Sequence, residues 1–467
     1  MKGIDAFDRR YSLTGYLLLL VIFLPALVFA ILNTYNTVPA FLNNTEALKQ
    51  TGLSFLRALA VGFAALLLSF PGVVIYAKCS NEIRNLLRVN FAFSFCFPAA
   101  LMEVCFDNLF SSGEFIANLQ LSPVIRTSLV NLMLNIPLLI VMLGEHLRHL
   151  DVRQKMCARS IKSPAISSFM ALTLPRLAPA LLGAFALVLM RCMTPTGNTV
   201  VSMLFSVLFL IVLVSTDKKR SQAEVSLDSL SEPNTEKKSV FITILSVIYM
   251  VAAQCLVIIP FISMILRSIL IDGSVSFEAY RLLFSSSDYL TSLGFCLAIA
   301  VVSSVIASVL GIHISVGIAN TGCSLFLALL PFAIGPATLV FGFTGLYPWV
   351  GQTQTVKLIL TMLCHILVLT PIQVMIVLPA VRALSANLRK TSVSLGNTSS
   401  QSFRLIDLRI LDIDVRCAFF TSIALSIGLW AEGEGSEAYA FNSIILILCF
   451  IFFFMGIGHT REGKRNV

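Results

Sequence analysis

Apolar residues in this chain do not alternate with polar ones. They run together in blocks of about 20 residues, the length a helix needs to cross the hydrocarbon core of a bilayer. On that rule the blocks at 16–32, 55–77, 91–107, 128–147, 177–193, 199–216, 240–266, 290–312, 322–346, 357–381, 415–431 and 441–458 predict about twelve transmembrane helices. The first block follows Arg9 and Arg10, as in a signal peptide, and Val28-Phe29-Ala30 is a weak cleavage-like signal. With so many spans behind it, a retained first helix is the favoured reading.

Three polar intervals stand out, at 148–179, 217–239 and 382–416. The middle one, DKKRSQAEVSLDSLSEPNTEKKS, is Ser-rich and mixed in charge, too poor in apolar residues to build a core, and reads as a linker. It divides the chain into a first half, 1–216, and a second half, 240–467. The halves are an ungapped internal repeat: adding 234 carries Pro137 to Pro371, Arg148 to Arg382, Lys155 to Arg389, Ser160 to Ser394, Phe169 to Phe403, Leu174 to Leu408 and Phe185 to Phe419. The expected fold is an all-α polytopic membrane protein of two repeated six-helix halves. An even number of spans lies between the copies, so they are expected to be related by a pseudo-twofold axis along the membrane normal.

Composition agrees with the pattern. The 467 residues are 57% hydrophobic and 12% charged, with mean hydropathy +0.89, whereas soluble domains run at about 45–50% and about 25%. The net charge of +9 is explained by placement. Of the 33 basic residues, 26 fall in the segments 1–15, 78–90, 148–176, 217–239, 382–416 and 459–467, which all lie on one side if the N-terminus does. By the positive-inside bias that side is the cytoplasm, both termini are expected there, and no nucleic acid is needed to account for the charge. The eleven cysteines are scattered, mostly within apolar blocks, without a C-x-x-C pair, which supports neither a disulfide framework nor a metal site.

The two basic loops at 148–179 and 382–416 occupy matching places in the repeat. Each continues an apolar helix with basic residues, breaks at Ser163-Pro164 or Gly396-Asn397, and resumes with apolar residues at spacings of three and four: Ile166, Phe169, Met170 and Leu172, or Phe403, Leu405, Ile406 and Leu408. Such a segment predicts a short amphipathic helix, either resting on the bilayer surface or docking a partner, and duplication on one face favours the partner.

Both loops resemble a motif of the permease subunits of bacterial ATP-binding-cassette importers: Glu-Ala-Ala, a Gly four residues on, then a Leu-Pro. The first copy is similar at Ala158, Arg159, Ser160, Ile161, Phe169, Leu174 and Pro175, with Met156 at the family's Glu and Lys162 at its Gly. The second keeps Ser394, Leu395, Gly396, Phe403 and Leu408, with Lys390 at the Glu and Arg409 at the Pro. Ile136-Pro137, Thr370-Pro371, the stretch 394–428 and PFAIGPATLVFGFTG at 331–345 resemble the fused, double-length permeases of ferric-iron and thiamine importers. The resemblance implies a non-catalytic transport subunit in a bacterial inner membrane. Its two coupling loops would dock two copies of a cytoplasmic ATPase, which carries the ATP and magnesium. A periplasmic solute-binding protein would deliver the solute, and this chain would bind no cofactor or metal. The departures at Met156, Lys162, Lys390 and Arg409 imply ATPase contacts unusual for the family.

Other polar features bear on chemistry. GHTREGKR at 458–465 nearly spells a phosphate-binding loop, but Arg465 stands where the metal-binding hydroxyl is needed and no strand precedes it. Glu103 and His365 lie inside apolar blocks, where an ionisable group either lines a translocation path or pairs with a neighbouring helix. Gly335-Pro336 interrupts a block, which is tolerated only where protein or water satisfies the freed backbone groups, and marks the path better than a single charge. Glu432, Glu434 and Glu437 form an acidic external loop that would meet a cation, a binding protein's basic rim, or solvent alone. The competing function is a secondary transporter of twelve helices in two halves. The short loops after the second and eighth helices, against the long ones after the fourth of each half, favour the importer.

Overall fold

A computed structural model describes residues 2–35, 39, 42–79, 101–106, 122–149, 167, 169–193, 199–225, 240–271, 274–384, 386–430 and 436–457. The described chain is helical apart from turns and one two-residue antiparallel strand pair, β1 (Leu270–Ile271) with β2 (Ser274–Val275). Among the described residues seven helices are long and apolar enough to cross a membrane, or eight if one sharply bent pair counts as a single span. The protein is a polytopic membrane protein.

Contacts divide the chain into two compact units: 1–48 with 197–203 and 265–467, and 49–196 with 204–264. They do not follow the linker at 217–239, whose first part, to Val225, continues a helix and whose remainder lies outside the described residues.

The smaller unit holds α2 (Thr45–Lys78), α3 (Pro123–His149), α4 (Leu174–Cys192), most of α5 (Thr199–Val225) and most of α6 (Val240–Ile269). Small residues let these helices approach closely, the usual means of packing where lipid supplies no hydrophobic drive between helices. A Cβ on Gly144 would lie 2.5 Å from the Tyr76 ring, and one on Gly62 2.8 Å from Phe185. His146 Nε2 meets the Arg176 carbonyl at 3.3 Å, tying the end of α3 to the start of α4. A π-turn, Phe169–Thr173, leads into α4, whose start is set by Pro175 in the first turn, where a missing N–H costs no hydrogen bond.

The larger unit begins with α1 (Lys2–Tyr35) and continues through α7 (Glu278–Ser285), α8 (Ser287–Thr321), α9 (Leu325–Ile334), α10 (Pro336–Thr344), α11 (Tyr347–Val350), α12 (Gln354–Ala383), α13 (Ala386–Ser394), α14 (Ser399–Ser402), a second π-turn (Phe403–Asp407), α15 (Leu408–Gly428) and α16 (Ser436–Ile457). Its centre is α8 packed along α12 and α15. Buried Ser304, Ser308, Gly311 and Ser315 recur every three or four residues along α8, and a Cβ on Gly311 would come within 2.5 Å of Gln373 Cβ on α12. Gln373 Nε2 donates to the Ala418 carbonyl (2.9 Å) and to Ser422 Oγ (2.8 Å), joining α12 to α15.

Helix α1 is the first element in sequence, yet it packs on α8 and α10. Three glycines permit this: a Cβ on Gly342 would overlap the Ala26 backbone, one on Gly317 would overlap Ser12, and one on Gly15 would lie 2.7 Å from His313 Cβ. Leu19, Phe23 and Ala26 then join Ile314, Leu339 and Leu367 in one core.

The expected span at 322–346 is broken. Gly335, at φ +81°, ends α9, and α10 departs at 81° to it. The expected span at 415–431 falls in α15, whose first turns carry Arg409, Asp412, Asp414 and Arg416 and which is not among the seven. The apolar stretches of α5 and α6 are shorter, Met203–Asp217 and Ile258–Ile269, and most of 91–107 lies outside the described residues.

The elements reproduce the sequence offset. The ends of α3 and α12 (His149, Ala383), the starts of the π-turns (Phe169, Phe403) and the starts of α4 and α15 (Leu174, Leu408) are each 234 residues apart.

Candidate functional site

The second of the two basic loops is built from short pieces, each with an evident local cause. After α12 the chain re-forms as α13 and ends at Gly396, whose φ of +96° is a conformation that only glycine adopts without strain. Thr398 then opens α14 with a reciprocal cap. Its hydroxyl accepts from the Gln401 amide (3.3 Å) while Gln401 Oε1 accepts from the Thr398 amide (2.9 Å). The π-turn follows, widening one turn so that Phe403 and Asp407 both face inward and are buried.

Against this segment lies the N-terminal end of α1. Asp8 accepts a two-pronged hydrogen bond from Arg389 of α13, Nη1 to Oδ2 at 2.9 Å and Nη2 to Oδ1 at 2.8 Å. Asn320 of α8 donates to the same Oδ2 at 3.0 Å. On its other edge, Arg389 Nε stands 2.9 Å from Asp407 Oδ2. All three charged residues are buried: Asp8 is 3% exposed, Arg389 6% and Asp407 3%. The Arg389 guanidinium lies 5.7 Å from the centre of the Phe403 ring, and that ring is 5.0 Å from Tyr11 and 5.9 Å from Phe7. Tyr11 in turn stacks on His313 of α8 at 3.6 Å.

Two carboxylates share one guanidinium. Burial pushes the Asp407 carboxyl up to about 6, Arg389 pulls it down and Asp8 adds to the rise. A buried charge stripped of its partner is expensive, so the cluster has little freedom to separate. It fastens three parts of the unit, α1, the end of α8 and the segment 386–407, into one body.

The outward side of the segment is different in character. Leu395 is 80% exposed, Leu405 53% and Leu388 47%, among exposed Lys390, Arg404 and Arg409. A fixed backbone thus presents apolar knobs in a basic setting.

Of the residues singled out in the sequence, Ser394 and Leu395 are exposed at the end of α13, Gly396 makes the turn, Phe403 is in the buried cluster and Leu408 is half-buried at the start of α15. Ser394 Oγ donates back to the Thr391 carbonyl at 2.8 Å. In the first copy, Ala158, Arg159, Ser160 and Ile161, with Met156 and Lys162, lie outside the described residues. Phe169 begins the first π-turn, Leu174 is half-buried and Pro175 exposed. His365 is buried in the larger unit, its Nδ1 2.6 Å from Ser426 Oγ of α15, so it pairs two helices. Gly335 and Pro336 form the break between α9 and α10, and Glu103 is half-buried in the helical piece 101–106 of the smaller unit. The phosphate-loop-like run at 458–465 and most of the acidic loop lie outside the described residues. Asp8, Asn320, Arg389 and Asp407 were invisible as a site in sequence; the one available signal was Asp8, an acid facing the apolar side of a basic N-terminus. Among the described residues no group of three His, Cys, Asp or Glu could hold a metal ion.

No protein-family profile, curated protein or solved structure matches the chain.

Proposed function

We propose that this chain is the permease subunit of an ATP-driven importer in a bacterial inner membrane. It would have two six-helix repeats, with its second coupling segment docking a cytoplasmic ATPase that holds ATP and magnesium. A periplasmic binding protein would deliver the solute, of the ferric-iron or thiamine type by resemblance. The observation that carries this reading is the second coupling segment: a short helical element anchored by a buried ion cluster, with Leu388, Leu395 and Leu405 exposed on its free side. Exposed apolar residues of this kind mark interaction sites, and transmission of force needs a rigid element. The 234-residue offset shared by the helix ends, π-turns and helix starts supports a second docking segment at 148–179.

Affinity purification of the full chain from its native membranes tests this. The expected result is co-purification of a subunit with a phosphate-binding loop and its loss on Leu395→Asp with Leu405→Asp, at unchanged expression. If no such subunit is retained, or if it survives both substitutions, the docking reading fails. Ion-gradient-driven uptake by the chain alone in proteoliposomes would instead establish the secondary-transporter reading.

A further inference from the structure

Neighbouring residues of α1 point in different directions. Asp8 turns into the ion cluster, while Arg9, Leu13, Tyr16, Leu20 and Phe23, at helical spacings of three and four, form a separate stripe. This stripe is one wall of a cavity of about 240 Å3; the other is the start of α9 and the turn before it, with Leu327 and Leu330. We propose that the cavity is a binding slot for an anionic phospholipid, with an acyl chain between α1 and α9 and the phosphate on Arg9.

Three observations carry this. First, the slot opens on hydrocarbon: α1 is a membrane span of which only 28% is buried in the protein, and Leu13 and Leu327 on the rims are 57% and 45% exposed. Second, the lining is mostly apolar, and two of its hydroxyls already donate within the protein, Tyr16 Oη to the Ser324 carbonyl at 2.8 Å and Ser12 Oγ to the Arg9 carbonyl at 3.0 Å. A buried water needs two to four polar partners, so an apolar chain is the better filling. Third, the slot is charged at one end only. The lining contains Arg9 and no carboxylate, the adjacent Asp8 is taken by Arg389, and among the described residues Arg9 makes no ion pair. A planar guanidinium at a membrane boundary matches a phosphate with two parallel hydrogen bonds. The inference needs only a membrane-spanning chain, so it stands or falls separately from the permease reading.

The test is native mass spectrometry of the detergent-purified full chain titrated with phosphatidylglycerol or phosphatidylcholine. The expected result is a retained phosphatidylglycerol, preferred about fivefold, the effect of one basic residue at the membrane surface, and not displaced by millimolar inorganic phosphate. Arg9→Gln is expected to abolish the preference. Leu327→Trp, and independently Leu13→Trp, are expected to fill the slot and release lipid of both kinds, whereas Leu67→Trp on the exposed face of α2 leaves retention unchanged. Equal retention of the two lipids, a preference that survives Arg9→Gln, or retention unaffected by both tryptophans would overturn the proposal. Displacement by free phosphate would do so as well, by making the site an anion site without a chain slot.

Discussion

The two basic loops, 148–179 and 382–416, share one sequence pattern and differ in the residues at its key positions. In the second copy Arg389 reaches both Asp8 and Asp407; at the matching positions of the first copy stand Lys155 and Thr173. A lysine is a single-point cation and cannot repeat the two-pronged grip on a carboxylate, and threonine supplies no charge. Gly396, at φ +96°, corresponds to Lys162, a residue that resists that conformation. The 234-residue offset therefore keeps the helix ends, the π-turns and the Pro137–Pro371 match but not the anchor. The segment 386–407 is locked to the N-terminal helix by buried ions; the first loop carries other residues at the two matching positions.

The largest effect should come from removing the shared cation. Arg389→Ala leaves two buried carboxylates without their partner, and the expected loss is about 3–5 kcal/mol, read as a marked fall in the apparent melting temperature of the detergent-solubilised chain. Lys155→Ala, at the matching sequence position, is expected to cost less, because a lysine there cannot make the two-pronged grip whose loss is the expense at Arg389. Equal losses in the two variants would erase the asymmetry.

Acidity sharpens the contrast with a smaller effect, because Asp8 keeps its hold on Arg389 whatever Asp407 does. In the folded chain Asp407 titrates near 6, against 3.8 for the free side chain. Between those values the folded state holds a proton that the unfolded state has lost, so this group's contribution to stability falls as pH rises from about 4 to about 6 and is level above that. Asp407→Asn is expected to remove this slope, measured as the difference between the wild-type and variant melting temperatures across pH 4–7. A difference that does not vary with pH would show that Asp407 is not the titrating member.

Exchanging turn residues between the copies follows. Gly396→Lys places the first copy's residue in the second copy's turn and is expected to cost about 1–2 kcal/mol through left-handed strain. The readout is faster proteolysis after Lys390 or Arg404 with the remainder of the chain unchanged.

Much of this was legible in sequence, and what was not has a common cause. Apolar runs and the break at Gly335 are short-range patterns; seven of the expected runs are membrane-length helices among the described residues, and the break is present. The ion cluster joins positions 381 residues apart, Asp8 to Arg389, and no local period reports such a pair. Arg389 was counted among the cytoplasmic anchors because a basic residue in a polar loop is usually solvated; here two carboxylates let it be buried. The placement of α1 against the second half depends on Gly317 and Gly342, whose lack of a side chain leaves no mark in a hydropathy pattern.

The smallest effect belongs to another arginine and aspartate of the same region. Arg416 pairs with Asp412 one turn earlier on α15, and both side chains are nearly half exposed, at 46% and 47%. Water screens this pair, and both partners are hydrated when it opens, so Arg416→Ala is expected to change stability by about 0.5 kcal/mol or less. The residue types match those of Arg389 and Asp407, the secondary structure is similar, and the difference is burial. If Arg416→Ala were to cost as much as Arg389→Ala, the explanation by desolvation would be wrong, and the cluster at Asp8 would have no special claim to hold the segment 386–407 in place.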